Sequence, residues 1–404
     1  MKDLATKKTS VGSRVPRDPV EKSWPKVRLG DVGVMTRGSG IKRCETLPQG
    51  KPCIRYGEIY TSFDIVLDRP RSFVSNEVYD KALHIKRGDL VFTLTGENQE
   101  EIGKTLAYLG DEEIAAGGDL AVWSNHGCDP MYLAYLMYSP KMLKAKADAS
   151  NGNIIVHLSV KKVQQIEVVL PPLSTQREIV ARLEKELGEA DKLAAKFKRV
   201  AELADDAFKA ELDETFKALG DNSRRDAETR RVRLGDVCEV LDSKRKPITK
   251  KNREPGSIPY YGATGIVDYV KDYIFDERLV LLGEDGAKWG PGDNSAFIIE
   301  GKSWVNNHAH VIRVCSDLSA DYLVAYLNFA DLSPSITGVT VPKLNQQRMC
   351  DIVIPLPSLP AQRAIVAKLD AAKEQCEKLK AAAMRGLAAA ENLRKAILAE
   401  AFEQ

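Results

Sequence analysis

The chain repeats two of its segments in the same order. The hexapeptide VRLGDV occurs at residues 27–32 and again at 232–237. Farther along each half, VVLPPLSTQREIVARL ends at Leu183, and IVIPLPSLPAQRAIVAKL ends at Leu369. Two matched segments in one order indicate a tandem duplication of a large unit. The chain must therefore fold as two similar units, each ending in a strand-like run, a proline-containing turn and a helix that opens with Gln-Arg.

Each of the second segments continues as a long helical pattern. Beyond the Gln-Arg pair, apolar residues recur at alternating intervals of three and four positions. This spacing keeps one apolar seam facing a partner helix, as in a coiled coil. At a rise of 1.5 Å per residue, a helix of about 40 residues is roughly 60 Å long. The predicted seam includes Val180, Leu183, Leu187 and Phe197 in the first helix and Leu369, Leu379, Leu393 and Ile397 in the second.

The two seams can be covered within one chain or between chains. The first helix leaves the first unit and enters the second, whereas the second helix follows the second unit. An antiparallel pair within the chain would cover both seams at once, and a homodimeric coiled coil is the alternative. The seams are rich in alanine and include Gly386, so the paired backbones can approach closely.

Between the repeated segments, strand and helix patterns are mixed. In the first unit DIVLD, DLVFTLT and IEVVL predict short strands, and DPMYLAYLMYSPKML predicts one helix capped by Asp129 with Pro130 in its first turn. In the second unit ERLVLLGE, SAFIIEG, HAHVIRV and CDIVIPL predict strands, and SADYLVAYLNFA predicts the helix.

These patterns predict an α+β fold. Two domains of mixed strands and helices would be joined by two long antiparallel coiled-coil helices, as a tandem repeat with pseudo-twofold symmetry. The predicted boundaries are a disordered tail at 1–24, a first domain at 25–173, a long helix at 174–220, a linker at 221–230, a second domain at 231–359 and a second long helix at 360–404.

The stretch TLTGENQEEIGKT at 93–105 is close to a nucleotide-binding P-loop. A P-loop has four residues between its glycines, so that the N–H groups of the turn surround the phosphates. Here six residues separate Gly96 from Gly103, and the duplicate of this strand, LVLLGED at 279–285, is not followed by Gly-Lys-Thr. A phosphate-binding enzyme built on residues 96–105 is therefore the weaker interpretation.

Both copies share a strand, a Gly-Glu-Asn or Gly-Glu-Asp turn, a polar loop, and nearby basic and aromatic residues. Lysine and arginine neutralise phosphates, while Asn, Gln, Glu and Arg hydrogen-bond base edges. This composition favours a surface that holds DNA and discriminates bases, although a basic run is also common on a merely solvated face. Lys104 could hold a phosphate of the DNA itself. The candidate DNA-contacting residues are Lys42, Arg43, Arg55, Tyr56, Tyr60, Thr95, Glu97, Asn98, Gln99 and Lys104 in the first unit and Lys244, Arg245, Lys246, Tyr260, Tyr261, Thr264, Glu284, Asp285, Lys288 and Trp289 in the second.

Other kinds of chemistry find little support in the sequence. The seven cysteines form no C-x-x-C pair, which disfavours a zinc site or a disulfide framework and favours a reducing cytoplasm. His308 and His310 lie on one strand face with no acidic partner indicated, so we expect core or hydrogen-bonded histidines and no metal. No self-contained catalytic site is recognisable, and no apolar run is long enough to span a bilayer.

The repeated segments and the motifs between them resemble the specificity (S) subunits of type I restriction-modification systems. The most specific elements are VRLGDV, present twice, LPPLSTQREIVARL with PLPSLPAQRAIVAKL, and IPYYGATGIVDYV, LVLLGEDGAKWG and GKSWVNNHAHVIRV in the second half. The first half carries the comparable IRYGEIYT and IKRGDLVFTLTGENQEEIGKT. The resemblance extends from about Trp24 to the C-terminus.

This resemblance implies a non-catalytic chain. Each target-recognition domain would read one half of a bipartite double-stranded DNA target from the major groove, and the paired helices would set the length of the unread spacer. The helices would also dock two methyltransferase (M) subunits, which use S-adenosylmethionine to methylate adenine. Restriction or motor (R) subunits would join, using ATP and magnesium. The chain itself would hold no cofactor and would act in the bacterial or archaeal cytoplasm. The alternative is a homodimeric coiled-coil scaffold that binds DNA.

Overall fold

The computed structural model of the chain describes residues 24–38, 40–152, 155–220, 229–338 and 340–402. The predicted tail at 1–24 and linker at 221–230 lie almost entirely outside the described residues. Within them the chain divides into two compact units: one runs to Ala194 and resumes at Ala388, and the other comprises Ala195–Leu387. Among the described residues, no helix combines the length and the apolar character needed to cross a membrane.

The first unit contains short strands, short helices and the first half of a long helix. Its strands are β1 (Lys26–Arg28), β2 (Val34–Arg37), β3 (Lys51–Ile54), β4 (Val66–Leu67), β5 (Ser72–Val74), β6 (Leu83–Ile85), β7 (Leu90–Thr93), β8 (Thr95–Gly96), β9 (Thr105–Tyr108), β10 (Ile114–Ala116), β11 (Leu120–Ser124), β12 (Ser150–Asn151), β13 (Val156–Leu158) and β14 (Glu167–Val169). Its helices are α1 (Tyr56–Ser62), α2 (Asn76–Lys81), α3 (Pro130–Met137), α4 (Pro140–Ala149), α5 (Val160–Val163) and α6 (Leu173–Gly220), the last of which continues into the second unit.

The second unit repeats this plan with fewer elements. Its strands are β15 (Arg230–Arg233), β16 (Cys238–Val240), β17 (Pro255–Gly262), β18 (Gly265–Val270), β19 (Phe275–Asp276), β20 (Leu279–Gly283), β21 (Ala296–Ile299), β22 (Lys302–Val305), β23 (Ala309–Val314) and β24 (Val353–Leu356). Its helices are α7 (Ala320–Phe329), α8 (Gln346–Cys350) and α9 (Leu359–Phe402). The α+β class and both long helices are therefore confirmed.

The same sheet lies at the centre of both units. In the first unit the strand order is β2-β11-β7-β9-β4, and in the second it is β16-β23-β20-β21. Leu90 and Phe92 of β7 enter one apolar cluster, while Val91 enters another on the opposite face. Because both faces are covered, these strands read as continuous apolar runs rather than as alternating ones.

The repeated VRLGDV segments close each unit on itself. In the first unit β1 pairs antiparallel with β14, and in the second β15 pairs antiparallel with β24. The leucines of the motif, Leu29 and Leu234, are buried. Because the adjacent glycine of each motif lies against the turn that precedes the last strand, a Cβ on Gly30 would approach Gln164 Cβ to 2.9 Å. The first and last strands of each unit are thus held together.

The glutamine of each Gln-Arg pair joins a long helix to the body of its unit. Gln176 Oε1 accepts a hydrogen bond from the N–H of Asp129 at 2.8 Å, and Gln362 Oε1 accepts one from the N–H of Ser319 at 2.7 Å. Both glutamine side chains are buried, and each also donates to a backbone carbonyl at the start of its own helix. Asp129 and Ser319 are the N-cap residues of α3 and α7. The duplicated glutamine therefore has the same structural role twice.

The long helices pair antiparallel within each unit. In the second unit Asp205 bonds Lys380 and Glu211 bonds Lys368, so residue numbers rise along α6 as they fall along α9. In the first unit Arg394 bonds Asp191, while Val180 shares an apolar cluster with Ala401. Each seam is thus covered by the other helix of the same chain, which favours the intrachain pair over a homodimeric coiled coil.

Two of the predicted seam residues do not belong to it. Val180, Leu183, Leu187 and Leu369 are buried, and Phe197 and Ile397 are half-buried, but Leu379 and Leu393 are 52% and 45% exposed. The buried stripe of α9 instead follows Leu369, Ala383, Ala390 and Ala401. A pair of helices joined through alanines has a narrow contact, so larger residues at the flanking positions remain outside it.

The single helix predicted at 129–143 is in fact two. Asp129 caps α3 as expected, but α3 ends at Met137 and α4 begins at Pro140. Proline has no N–H to donate and disfavours the helical conformation of the residue before it. Ser139 is accordingly extended and caps α4, its hydroxyl accepting from the N–H of Met142.

The helix pair provides a stability test with a matched control. A Cβ on Gly386 would lie 2.3 Å from the Phe197 ring, whereas nothing lies within 4 Å of the position of a Cβ on Gly188 in α6. We expect Gly386→Ala to lower the free energy of unfolding by about 1–3 kcal/mol through overpacking. Gly188→Ala should raise it by roughly 1 kcal/mol, because alanine favours helix. Denaturant unfolding of both variants checks this; an equal rise for both would contradict the close packing.

Candidate nucleic-acid interface

A polar turn follows β8 in the first unit. Its members Glu97, Asn98 and Gln99 are exposed and adjacent. Asn98 Oδ1 accepts a hydrogen bond from the N–H of Glu101 at 2.8 Å, which closes the turn. The exposed carboxylate and amide groups therefore lie on a fixed turn, and their role as base contacts stays a prediction.

Three side chains, those of Tyr60, Lys104 and Lys146, hydrogen-bond the backbone around this turn. Tyr60 Oη hydrogen-bonds Thr93 Oγ1 at 2.8 Å and donates to the carbonyl of Thr95 at 3.2 Å. Lys104 Nζ donates to the carbonyl of Phe63 at 2.6 Å, and Lys146 Nζ donates to the carbonyl of Gly103 at 2.8 Å. Tyr60 and Lys104 were predicted to contact DNA; because their polar atoms are directed to the backbone, they position the turn instead.

The lysine of the Gly-Lys-Thr sequence is thus engaged inside the unit. Burial lowers the pKa of Lys104 below its usual range, which is the opposite of what a phosphate partner would do. This arrangement disfavours a nucleotide-binding loop at 96–105.

The other candidates of the first unit lie away from that turn in sequence. Lys42 and Arg43 are exposed at the 3-10 turn between β2 and β3. Tyr56 is exposed at the start of α1, and Arg55 before it is half-buried. The Arg55 Nε atom is buried and, among the described residues, has no hydrogen-bond partner.

In the second unit a buried ionic network surrounds Glu284, the residue that follows β20. Arg245 Nη1 bonds Glu284 Oε2 at 2.5 Å, and its Nη2 lies 3.2 Å from Asp242 Oδ2. His310 Nδ1 lies 2.5 Å from Asp242 Oδ2, and its Nε2 lies 2.7 Å from the carbonyl of Leu344. Both ring nitrogens thus lie beside hydrogen-bond acceptors, which ties His310 to Asp242 and to the segment that contains Leu344.

The network determines the charge of its carboxylates. Burial works against the ionised Glu284, but hydrogen bonds from Lys343 and Arg245 outweigh it and hold the pKa of that carboxyl below its usual range. The Glu284 Oε1 atom accepts from Lys343 Nζ at 2.7 Å. Glu284 and Arg245 were predicted to contact DNA; they are instead parts of this internal network.

The Gly-Glu sequences of the two copies are not structurally equivalent. The N–H of Leu158 donates to the carbonyl of Leu94, and the N–H of Leu344 donates to the carbonyl of Glu284. Leu94 and not Glu97 therefore occupies the position of Glu284. The correspondence between the two Gly-Glu sequences that the sequence predicted is therefore wrong, because the first copy continues as β8 before its turn.

Two aromatic candidates of the second unit also have structural roles. Trp289 is buried, and its Nε1 donates to the carbonyl of Gly283 at 2.9 Å. Tyr260 is buried, accepts from the N–H of Ile248, and stacks beneath the Arg253 guanidinium at 4.4 Å. Neither ring can stack on a base without refolding its surroundings. Tyr261 and Asp285 are half-buried and Thr264 is exposed.

The basic stretch at 244–253 divides by residue type. Arg245 and Arg253 are directed inward, where each makes several hydrogen bonds, because the guanidinium offers five donors in a rigid plane. The lysines are exposed, as is Lys288 on the following turn. The exposed lysines of the stretch are Lys244, Lys246, Lys250 and Lys251. The cations available to a phosphate backbone are therefore lysines.

One group of side chains has the spacing of a metal site. The ligand atoms of Asp242, Glu284 and His310 all lie within 4.8 Å of one another. Arg245 and Lys343 already neutralise these carboxylates, so the group forms an ion-pair network. The expectation that neither histidine has an acidic partner was wrong: His310 bonds Asp242, and His308 bonds Asp285.

Sequence reasoning missed the hairpins beside the two turns. In the first unit β13 pairs with β8, placing His157 opposite Thr95. In the second unit Lys343 bridges both Asp285 and Thr337. Each hairpin contains a glycine at the same distance from the Gln-Arg pair, so the duplication itself carried a signal for the hairpins.

The fold defines a chain of two duplicated α+β domains, each ending in one long helix of an antiparallel pair. The chain belongs to the type I restriction modification DNA specificity domain family, whose domain matches it twice, at residues 21–195 and 227–383.

One relative is a putative specificity subunit, and two solved structures have the same fold. A putative type I restriction enzyme specificity subunit, S.HindORF215P of Haemophilus influenzae, is 36% identical over 138 residues; the match spans 34% of this chain and 36% of that relative. The chain thus matches about a third of that relative's length. A structure from work on complex assembly and conformational transition of the type I R-M system has a TM-score of 0.74 at 20% identity and covers 96% of this chain and 99% of its own. The HsdS subunit of Thermoanaerobacter tengcongensis gives 0.59 at 20% identity, covering 95% and 97%. At that identity the two structures show the fold alone.

Substitutions at the neighbouring residues Arg245 and Lys246 test whether the buried arginine stabilises the fold while the exposed lysine contacts DNA. Arg245→Ala should destabilise the chain by about 3–5 kcal/mol, because it leaves buried carboxylates uncompensated. Lys246→Ala should leave the melting temperature unchanged and weaken binding to duplex DNA at low salt. Thermal unfolding and DNA titration of both variants check this. Loss of DNA binding without loss of stability in Arg245→Ala would contradict the structural role.

Lys146 makes the stability of the chain depend on pH. Burial lowers its pKa to about 7, whereas the unfolded residue titrates at its ordinary, higher value. Between these values the unfolded chain binds one more proton, so stability rises with pH by about 1.4 kcal/mol per unit. Lys146→Met removes this term, and its advantage over the natural chain should shrink as pH rises from about 7 to 9. Denaturant unfolding measures it, with exposed Lys144→Met as the control; a constant difference would contradict the lowered pKa of the buried Lys146 amine.

Proposed function

We propose that this chain is the non-catalytic DNA-recognition subunit of a type I restriction-modification complex. Each of its two domains reads one half of a bipartite duplex target. The observation that carries the proposal is the duplication itself: one chain holds two copies of the specificity domain, each followed by one helix of an antiparallel pair.

The recognition domains of this proposal extend over residues 25–173 and 231–359, with long helices at 174–220 and 360–404. Their DNA-contacting surfaces include the exposed candidates. In the first domain these are Lys42, Arg43, Tyr56, Glu97, Asn98 and Gln99, and in the second Lys244, Lys246, Thr264 and Lys288. Lysines outside the ionic networks supply phosphate contacts, and the polar turn supplies base contacts.

Exposed apolar residues on the long helices support a docked protein partner. Leu393 lies on the first unit's segment of α9, and Leu379 and Met384 lie on the second unit's segment. On α6, Leu193, Val200 and Leu203 are exposed as well. Helices that present leucines outside their own seam can accept another helix. We assign these surfaces to two methyltransferase subunits.

The cofactors of the complex belong to those partners in this proposal. The methyltransferase subunits bind S-adenosylmethionine and methylate adenine in each half-site, and restriction subunits use ATP and magnesium. The location is the cytoplasm, where the target DNA lies; the seven cysteines, all within described residues, are free thiols.

Methylation mapping tests the proposal. The chain is expressed with its methyltransferase in a host that lacks other adenine methylation, and modified sites are read across the genome. The expected result is one sequence of two short specific parts separated by an unread spacer. Methylation at a single continuous sequence, or at no preferred sequence, would contradict two-domain recognition.

The helix pair should set the spacer. Removing residues 200–206 from α6 and 379–385 from α9 deletes facing heptads in the register given by the Asp205–Lys380 pair. A heptad spans about 10 Å of helix, or roughly three base pairs. We expect the mapped spacer to shorten while both half-sites keep their bases. An unchanged spacer in an active complex would show that the helices do not measure it.

A further inference from the structure

The two domains present the same hairpin beside their polar turns. In each, a glycine (Gly152 or Gly338) is followed three residues later by an exposed aliphatic residue (Ile155 or Val341) and then by a buried leucine. Strand pairing is also shared: Asn151 faces His157, and Thr337 faces Lys343. The duplication therefore preserves a hairpin whose tip carries an apolar side chain.

In each hairpin a glycine with left-handed backbone conformation packs against the exposed aliphatic residue. Gly152 and Gly338 have φ values of +111° and +90°, which favour glycine. A Cβ on Gly152 would lie 2.1 Å from the carbonyl oxygen of Ile155, and one on Gly338 would lie 2.4 Å from that of Val341. Since each glycine packs directly on the carbonyl of the tip residue, the tips are built features of the fold.

The apolar tips are unusually exposed. Val341 is 66% exposed and Ile155 is 57% exposed; among the exposed large apolar residues of the described chain only Met384, at 60%, lies between them, and Val267 follows at 54%. Single exposed aliphatic residues are common on any surface. Two exposed aliphatic residues at the same position of a duplicated hairpin indicate that both contact the same kind of partner.

Each tip adjoins the polar turn of its domain. In the first, His157 Nδ1 lies 3.3 Å from Thr95 Oγ1, and Val156 pairs with Gly96. In the second, Lys343 Nζ lies 2.7 Å from Glu284 Oε1 and 3.8 Å from Asp285 Oδ2. The hairpin is therefore attached to the turn by its own ladder and by a side-chain contact.

We propose that Ile155 and Val341 each contact the C5-methyl group of a thymine in the major groove, one in each half-site. This inference rests on the proposed function. In the major groove the thymine methyl is the apolar feature of the base edges, and polar turns cannot read it. Exposed lysines follow the first hairpin at Lys161 and Lys162, and in the second domain exposed Lys288 comes three residues after Asp285, which pairs with Lys343 of the hairpin. Such flanking cations suit duplex DNA as the occupant rather than an apolar protein surface.

Deoxyuridine scanning tests the contact on the unaltered protein. The complex of this chain with its methyltransferase is titrated with its mapped target, in which each thymine is replaced in turn by deoxyuridine. One replacement in each half-site should weaken binding about fourfold, the effect expected for one buried methyl group. Ile155→Ala and Val341→Ala should weaken binding similarly. Each variant should be insensitive to the sensitive replacement in its own half-site while keeping sensitivity in the other.

Substitutions of other exposed valines distinguish a contact at the hairpin tips from a general effect of losing a surface apolar side chain on DNA binding. Val34→Ala and Val353→Ala remove other exposed valines and should bind every duplex as the natural chain does. Equal weakening of random-sequence DNA by the tip variants would overturn the proposal, as would tip variants that bind all duplexes normally. A complex without a bipartite target would instead contradict the proposed function, so the two failures are distinguishable.

Discussion

Each unit depends on the contact between its first and last strands. The chain enters along β1 or β15 and leaves along β14 or β24, and these strands pair directly. The buried glutamine that follows then bonds the N-cap of the packed helix, which fixes where the long helix begins. The central sheet, the polar turn and the hairpin all lie between these two points.

The two cationic residue types have different positions in the second unit. Arginines stabilise the second unit from inside, where planar donors satisfy several acceptors at once, and lysines remain hydrated outside. The first unit reaches the same end through backbone acceptors, since Tyr60 and two lysines bond backbone carbonyls beneath its turn. Two different sets of internal contacts thus support the turns that follow β8 and β20. This separation lets surface residues differ without loss of the supporting contacts.

Much of the fold followed from periodicity and duplication. The long helices, the central strands and the cap at Asp129 could be predicted because each depends on local spacing or on one residue's stereochemistry. The site could be predicted only in part. Composition cannot tell an arginine that faces a buried carboxylate from one that faces solvent, so Arg245, Glu284, Tyr260 and Trp289 were wrongly placed at the surface. The seam prediction was wrong at Leu379 and Leu393, because the spacing of apolar residues does not reveal how wide the contact between two helices is.

The pairing of first and last strands has a mechanical consequence. Lys26 pairs with Val169 and Arg230 with Leu356, so the chain enters and leaves each unit at the same end of a two-stranded ribbon. Tension between the entering segment and the long helix would separate the ribbon one pair at a time, like a zipper, rather than shear all its hydrogen bonds together. The first bonds under load are therefore those next to the glutamine contact. A pull on a long helix is resisted by that buried side chain before it reaches the sheet behind the turn.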